Sequence, residues 1–438
     1  MADGTVARPS RGHRTICLPI PEEAYQQIVN DPREFRTAVD ECFRQTPELF
    51  PRAFAGGYQL KDDRVSAKQE VLIRRIALSD GTAYSIRPSF LMPYMTGRVG
   101  DVEGPLFLRK FGVPFWALAR VFGGDPMYWF RMECGLGRCS VVGATVRQAE
   151  LPEHLLADEH HQSLDGKKLY IATTVGGGCV LGAEPALAAG TDDLKAAYAV
   201  FKCEARDLAP EYAPVTVNTD GWPATRAAWK ALFKRVVILQ CFLHAWLKVR
   251  DRAKHLEGLL AEVSRRVWEA YHAPDRRCFG QRLRSLRRWA TGHLSGVVLE
   301  KVLDLCEKRP RWSIAYRHPG GHRTSNMLDR QMRGMNRYFD QGQHLHGSVA
   351  ACRLHCRAWA LLWNFTPWHP ATTRENGGWR CPAERLNRHR YQDCWLQNLL
   401  ISASLGGYRR PLPKISDDYS LAGPEFPMIA EGGGGRTP

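Results

Sequence analysis

Three aspartates stand out by the residues around them. Asp158 lies in Leu-Leu-Ala-Asp-Glu-His-His at 155–161. Asp220 closes Val-Thr-Val-Asn-Thr-Asp at 215–220, just before Gly221. Asp329 sits in Thr-Ser-Asn-Met-Leu-Asp-Arg at 324–330. Carboxylates brought together repel one another unless cations neutralise them. Hard divalent ions such as Mg2+ or Mn2+ take oxygen ligands, and two of them about 4 Å apart hold both the attacking and the leaving oxygen of a phosphodiester. Three convergent aspartates therefore point to metal-dependent cleavage and transfer of nucleic-acid strands. Each also has a plainer reading. Asp220 before glycine suits an ordinary turn, and Asp158 suits an exposed strand position. Asp329 suits the third position of a helix capped by Asn326. The order strand, strand end, helix gives the three their joint meaning.

That order depends on the elements that carry them. From 154 the sequence breaks into short β-rich runs at 154–161, 168–174 and 180–184, the last two joined by the glycines at 176–178 as a hairpin turn. A helix is expected over 192–208 with Thr191 as N-cap. A strand over 213–219, a helix over 224–233 and a strand over 235–241 follow. The order β-β-β-α-β-α-β is that of an α/β fold with a ribonuclease-H-like catalytic core, three antiparallel strands and then helix-linked parallel ones. In that core the first and fourth strands are neighbours, so Asp158 and Asp220 converge, while Glu159 points to the opposite face. Residues 246–310 turn to helical periodicity rich in Arg, an all-helical insertion. Helical patterns return near 325–340 and 347–365. Residues 1–15 read as a mobile basic arm, and the Pro- and Gly-rich stretch after 406 as a loose tail. The stretch 16–104 mixes short helical and strand-like segments without a fold assignment.

After Asp220-Gly221 come a strand and then Cys241-Phe-Leu-His244. This block is similar to the middle of Mutator-type and related bacterial insertion-sequence transposases, which place a Cys-x-x-His pair after the strand following their second aspartate. Residues 324–330 resemble that family's Thr-x-Asn-x-x-Glu block, which bears its third carboxylate. The resemblance covers roughly 105–405. It implies a DDE-type enzyme with Asp158, Asp220 and Asp329 as the metal-binding triad, and Cys241 and His244 packed near the active site. The 246–315 segment would be the helical insertion such enzymes carry, and 149–245 and 316–405 the two parts of the core. One departure is plain: the third acid is Asp, shorter than Glu by roughly 1.5 Å. Asp340, eleven residues on and on nearly the same helix face, is the alternative third ligand. As zinc ligands, Cys241 and His244 need a second pair, for which Cys352 and Cys356 are the available candidates.

A helix-turn-helix is expected at 113–137, within a recognition region at 105–148 that follows an N-terminal region at 1–104. Pro114 opens the first helix, Gly123-Gly124-Asp125 turns the chain, and Pro126 opens the second. The second helix is expected to bury Met127 and Phe130 and to present Tyr128, Trp129 and Arg131 to a major groove. An ordinary helical hairpin is the plain alternative. Further basic residues recur in the insertion, among them Arg265, Arg266, Arg282, Arg284, Arg287 and Arg288. Arg330, Arg333 and Arg337 follow Asp329 at three- and four-residue spacing. Such side chains usually hold phosphates without reading sequence.

The bulk composition agrees with a polyanionic partner. The 438 residues hold 61 Lys and Arg against 45 Asp and Glu, for a net charge of +16. At 44% hydrophobic and 10% aromatic residues the chain has enough apolar material for more than one core. The thirteen cysteines form no small disulfide framework. Met1 to Arg14 is polar and unlike a signal peptide, and no apolar run spans a membrane, so a cytoplasmic, nucleoid-associated protein is expected. No Gly-Lys-Ser/Thr follows the glycines at 176–178, so no nucleotide cofactor is expected. The expected partners are double-stranded DNA, namely an element's terminal inverted repeats and its target, and further copies of the chain on that DNA. A ribonuclease-H-like nuclease and a non-catalytic DNA-binding derivative of a transposase are the competing functions.

Overall fold

The computed structural model describes residues 11–408 apart from 68, 94 and 341–344. The arm before 11 and the tail after 408 lie outside the described residues. Within the expected arm, Arg11–Arg14 forms a 3-10 turn and Thr15 already enters a strand.

The stretch without an assignment from sequence folds around a four-stranded sheet. Its elements are β1 (Thr15–Leu18), α1 (Glu22–Ile28), α2 (Pro32–Gln45), β2 (Tyr58–Ser66), β3 (Val71–Leu78) and β4 (Ala83–Pro88), with sheet order β1-β4-β3-β2. Asp31 caps α2 by accepting from the backbone of Arg33 and Glu34, with Pro32 in the favoured first position. Alternate residues of β3 serve the two faces. Arg74 reaches the Val29 carbonyl and stacks on Phe35, so its face packs on the helices. Arg75 faces the other way and binds Asp62 of β2 with two nitrogens.

Four helices follow: α3 (Val99–Arg109), α4 (Phe115–Phe122), α5 (Pro126–Leu136) and α6 (Val141–Thr145). Asp125 caps α5 by accepting from Met127 N, as its position suggests. The face of α5 is rotated from expectation. Trp129 is buried and donates its indole N–H to the Gly123 carbonyl at 3.0 Å, while Met127 is exposed. Tyr128 is half-buried, with its hydroxyl on the Thr96 carbonyl at 2.7 Å, and only Arg131 of the three expected DNA-reading side chains is exposed. The larger apolar stripe, Trp129, Met132 and Leu136, takes the core at i, i+3, i+7 and overrides the Met127–Phe130 pair.

A second sheet carries the aspartates. Its elements are β5 (His154–Leu164), β6 (Lys167–Gly176), β7 (Cys179–Ala186), α7 (Thr191–Leu208), β8 (Thr216–Thr219), α8 (Pro223–Leu232) and β9 (Val237–Gln240). The order is β7-β6-β5-β8-β9, antiparallel among β5 to β7 and parallel from β5 through β8 to β9. Gly177 and Gly178, both at positive φ, make the two-residue turn between β6 and β7. Gly190, not Thr191, is the N-cap of α7, and no side chain bonds there. One sheet face packs on α7 and α8 through Leu155, Ala157, Val217, Phe201 and Trp229.

Next comes a helical block: α9 (Phe242–Ala253), α10 (Glu257–Tyr271), α11 (Arg276–His293), α12 (Gly296–Glu307) and α13 (Arg309–Trp312). It has its own core around Val249, Val267, Phe279, Leu283 and Val302. The chain then returns with α14 (Asn326–Asp340), α15 (Val349–Phe365), α16 (Pro370–Glu375), α17 (Pro382–Asn387) and α18 (Trp395–Ser402). Leu328, Met335 and Phe339 of α14 and Trp359 and Leu362 of α15 cover the other face of the second sheet. They merge there with the core of the N-terminal sheet. Arg357 of α15 ties the layers together. It donates to Glu184 of β7 at 2.6 Å, to the Gly137 and Cys139 carbonyls at 3.0 and 2.7 Å, and to Glu204 of α7.

The chain is thus mixed α/β, with two sheets and many helices. Among the described residues no helix is long and apolar enough to cross a membrane, and all thirteen cysteines are free.

Candidate active site

Strand register brings the first two aspartates level. Leu156 of β5 is opposite Asn218 of the parallel strand β8, so Asp158 and Asp220 each lie two residues further in the same direction. Thr219 is likewise opposite Gln240 of β9, which sets Cys241 beside Asp220. Along β5 the side chains alternate. Glu159 turns to α7 and α8, accepting from Tyr198 at 2.7 Å and Thr225 at 2.8 Å, whereas His160 turns to Phe339 of α14. Asp158 shares the α14 side.

Each aspartate is held by its own device. Asp158 Oδ1 accepts from the Glu159 backbone N–H at 2.9 Å. Asp220 Oδ1 accepts from Trp222 N at 2.7 Å, closing a turn that starts α8. Gly221 inside that turn has φ +97°, and a Cβ there would stand 2.4 Å from Gln240 Nε2, so the turn requires glycine. Helix α14 starts one residue earlier in register than Asn326 as N-cap implies, because Asp329 N donates to the Ser325 carbonyl at 2.8 Å. The Ser325 hydroxyl then lies 3.1 Å from each Asp329 carboxylate oxygen. Ser325 also receives the Cys241 thiol at 3.3 Å, so it links the end of β9 to α14.

The charges sense one another. Burial, the Asp220 charge and then the Asp329 charge push the Asp158 carboxyl up to about 6, against the pull of the Glu159 N–H and His244. His244 is pushed up to about 9, chiefly by hydrogen bonding with Cys241 and further by the Asp158 and Asp220 carboxylates. Burial raises the Cys241 thiol, but His244 and Ser325 bring it below its ordinary value. The row Asp158, Asp220, Cys241–His244, Ser325, Asp329 is therefore one electrostatic unit. Asp340 is exposed at the far end of α14, and the carboxylate acting on Asp158 is that of Asp329.

The donor chemistry of this row, three carboxylates with hard oxygen atoms, fits a divalent cation such as Mg2+. Among the described residues no three His, Cys, Asp or Glu side chains stand close enough to hold a metal ion as they are. Cys352 and Cys356, with sulfurs 4.0 Å apart, neighbour Cys134 and Glu184, and not Cys241.

Other expected contacts are dispersed. Arg284, Arg287 and Arg288 are exposed on α11, and Arg330, Arg333 and Arg337 on one face of α14. Arg265 and Arg266 are instead engaged by Glu262, and Arg265 also by Glu269. The sequence reading missed Ser325 and a small cleft where Lys248, Lys301 and Lys308 of the helical block face Asp220 and His244. Lys308 there is paired with Asp304 at 2.6 Å. Lys248 follows His244 by one helical turn, which is the only trace of this cleft in the sequence. Compared with known proteins, the chain matches no protein-family model and no curated protein.

Proposed function

We propose that the chain is a DDE-type transposase that hydrolyses DNA phosphodiesters at the ends of a mobile element and transfers the freed 3′-hydroxyl to target DNA. The observation that carries this reading is the level pairing of Asp158 and Asp220 on parallel neighbours, with Asp329 acting on Asp158 from a helix far along the chain. Three antiparallel strands continued by two parallel ones support a ribonuclease-H-like core. Asp158, Asp220 and Asp329 would hold Mg2+ or Mn2+, which when bound supplies the Lewis acidity for attack on phosphorus. The chain's own residues then orient that site. Ser325 positions Asp329, the Asp220 turn fixes the second carboxylate, and His244 offsets the acidic charge. Arg284, Arg287, Arg288, Arg330, Arg333 and Arg337 are suited to phosphates of double-stranded DNA, and Arg131 is the contact left from the proposed helix-turn-helix. Two ends must be cut and joined together, so the active form on DNA is a dimer or larger assembly, in the cytoplasm at the nucleoid.

The test is cleavage and joining of DNA bearing the element's own ends with Mg2+ or Mn2+. Wild type should cut and join, Asp158→Ala, Asp220→Ala and Asp329→Ala should not, and Asp340→Ala should behave as wild type. A wild-type chain that binds the ends but never cuts them with either metal would overturn the enzyme reading. That outcome belongs to a non-catalytic DNA-binding derivative.

A further inference from the structure

The open face of the N-terminal sheet forms a groove of about 810 Å³, walled by β1 to β4, the segment around Met92 and Met95, and the end of α18. Arg14, Lys61, Arg64 and Arg87 line it, and among the described residues no carboxylate pairs with any of them. The acid on this face, Asp62, is taken by the two-nitrogen contact from Arg75. Arg64 is opposite Ile73 across β2 and β3. Carrying the β3–β4 register on from Arg75 and Ser85 sets Arg87 on the far side of Ile73. The two guanidinium-bearing positions are therefore about 10 Å apart across the sheet, two interstrand steps. The Arg87 Nε is buried without a hydrogen-bond partner.

Cations on β2, on β4 and on the turn before β1, not converging on one point, suit an extended polyanion. Ile73, Met92 and Met95 add apolar wall between them. We infer that this groove seats the sugar–phosphate backbone of one DNA strand. The inference rests on the proposed action on DNA but on none of its catalytic residues. It gives DNA anchoring to the sheet, where sequence pattern had put it on α5, whose Trp129 is in the core.

The experiment uses the full chain and a labelled random-sequence DNA duplex, with affinity measured across a salt series. Lys61→Ala, Arg64→Ala and Arg87→Ala combined should flatten the log–log salt slope by about 2 to 3 and weaken binding on the order of 100-fold at moderate salt. Independently of any variant, DNA should slow acetylation of Lys61 in the wild-type chain. An unchanged slope in the folded triple variant, or Lys61 acetylated equally fast with and without DNA, overturns the groove assignment and leaves the transposase reading intact. Loss of slope in a chain that never cuts DNA keeps the groove and removes the transposase reading. RNA of the same sequence displacing the duplex at equal concentration overturns DNA as the occupant.

Discussion

Ser325 spans Asp329: its hydroxyl lies 3.1 Å from both carboxylate oxygens and also receives the Cys241 thiol. A serine so placed positions an acid without touching the reacting atoms. Ser325→Ala should lower the cleavage rate roughly 10- to 100-fold, the usual cost of losing the partner of a metal-binding group. DNA affinity should stay unchanged, and Ser325→Thr should restore most of the rate. Single-turnover cleavage beside a binding titration checks this, and an equal loss in both would refute the positioning role.

The Asp220 turn makes a second prediction. Gly221 holds φ +97° against the Gln240 amide. Gly221→Ala should cost about 1–2 kcal/mol of stability from the left-handed backbone alone. Cleavage, measured well below the melting transition, should fall by more than that stability loss explains, because the Trp222 N–H that orients Asp220 moves with the turn. Wild-type cleavage in the folded variant would show that the turn does not set the carboxylate.

Trp129 and Arg131 separate packing from DNA contact on one helix. Trp129→Ala should destabilise the fold by about 3–5 kcal/mol, as large buried aromatics do, while the molecules that remain folded bind DNA with ordinary affinity. Arg131→Ala should leave stability alone and lower the salt slope by about one. Thermal unfolding and a salt titration on each variant distinguish the two. A Trp129→Ala chain of wild-type stability would contradict its place in the core.

Glu133 gives the acid limb of stability. It is wholly buried, and burial alone would raise its carboxyl, but Arg109 at 2.6 Å and His355 at 3.1 Å overcome that and bring it down to about 2. A carboxyl depressed from an unfolded value near 4.5 stabilises the fold fully above that pH and loses the contribution as pH falls through 2. Glu133→Gln should therefore cost on the order of 3 kcal/mol at neutral pH. Its difference from wild type should shrink between about pH 4.5 and 2, read from denaturant unfolding across that window.

The second sheet was legible because each strand has its own apolar run, bounded by glycines or a helix with clear periodicity. That Asp158 and Asp220 lie level was legible because the strand order makes β5 and β8 neighbours. The N-terminal sheet was not. Strand β2, Tyr-Gln-Leu-Lys-Asp-Asp-Arg-Val-Ser, is almost wholly exposed and carries no alternating apolar signal, and its pairing with β3 shifts register after Leu60. The face of α5 was misread because two apolar stripes compete in Met-Tyr-Trp-Phe-Arg-Met, and only the tertiary partner decides between them. Ser325 carried no local signal, since its partners Cys241 and Asp329 depend on how the chain returns after the helical block.

Arg357 has a consequence for how the chain is made. Its partners Glu184 and Glu204 precede it by 173 and 153 residues. At synthesis rates of about 5–20 residues per second, both acids leave the ribosome roughly ten to thirty seconds before the guanidinium that neutralises them. Until then β7 and α7 carry charges that cannot be buried cheaply, so these two elements should close on their neighbours only after Arg357 has emerged. A product halted before residue 357 should leave both acids without their guanidinium, and should be cut by protease at β7 and α7 faster than the full-length chain.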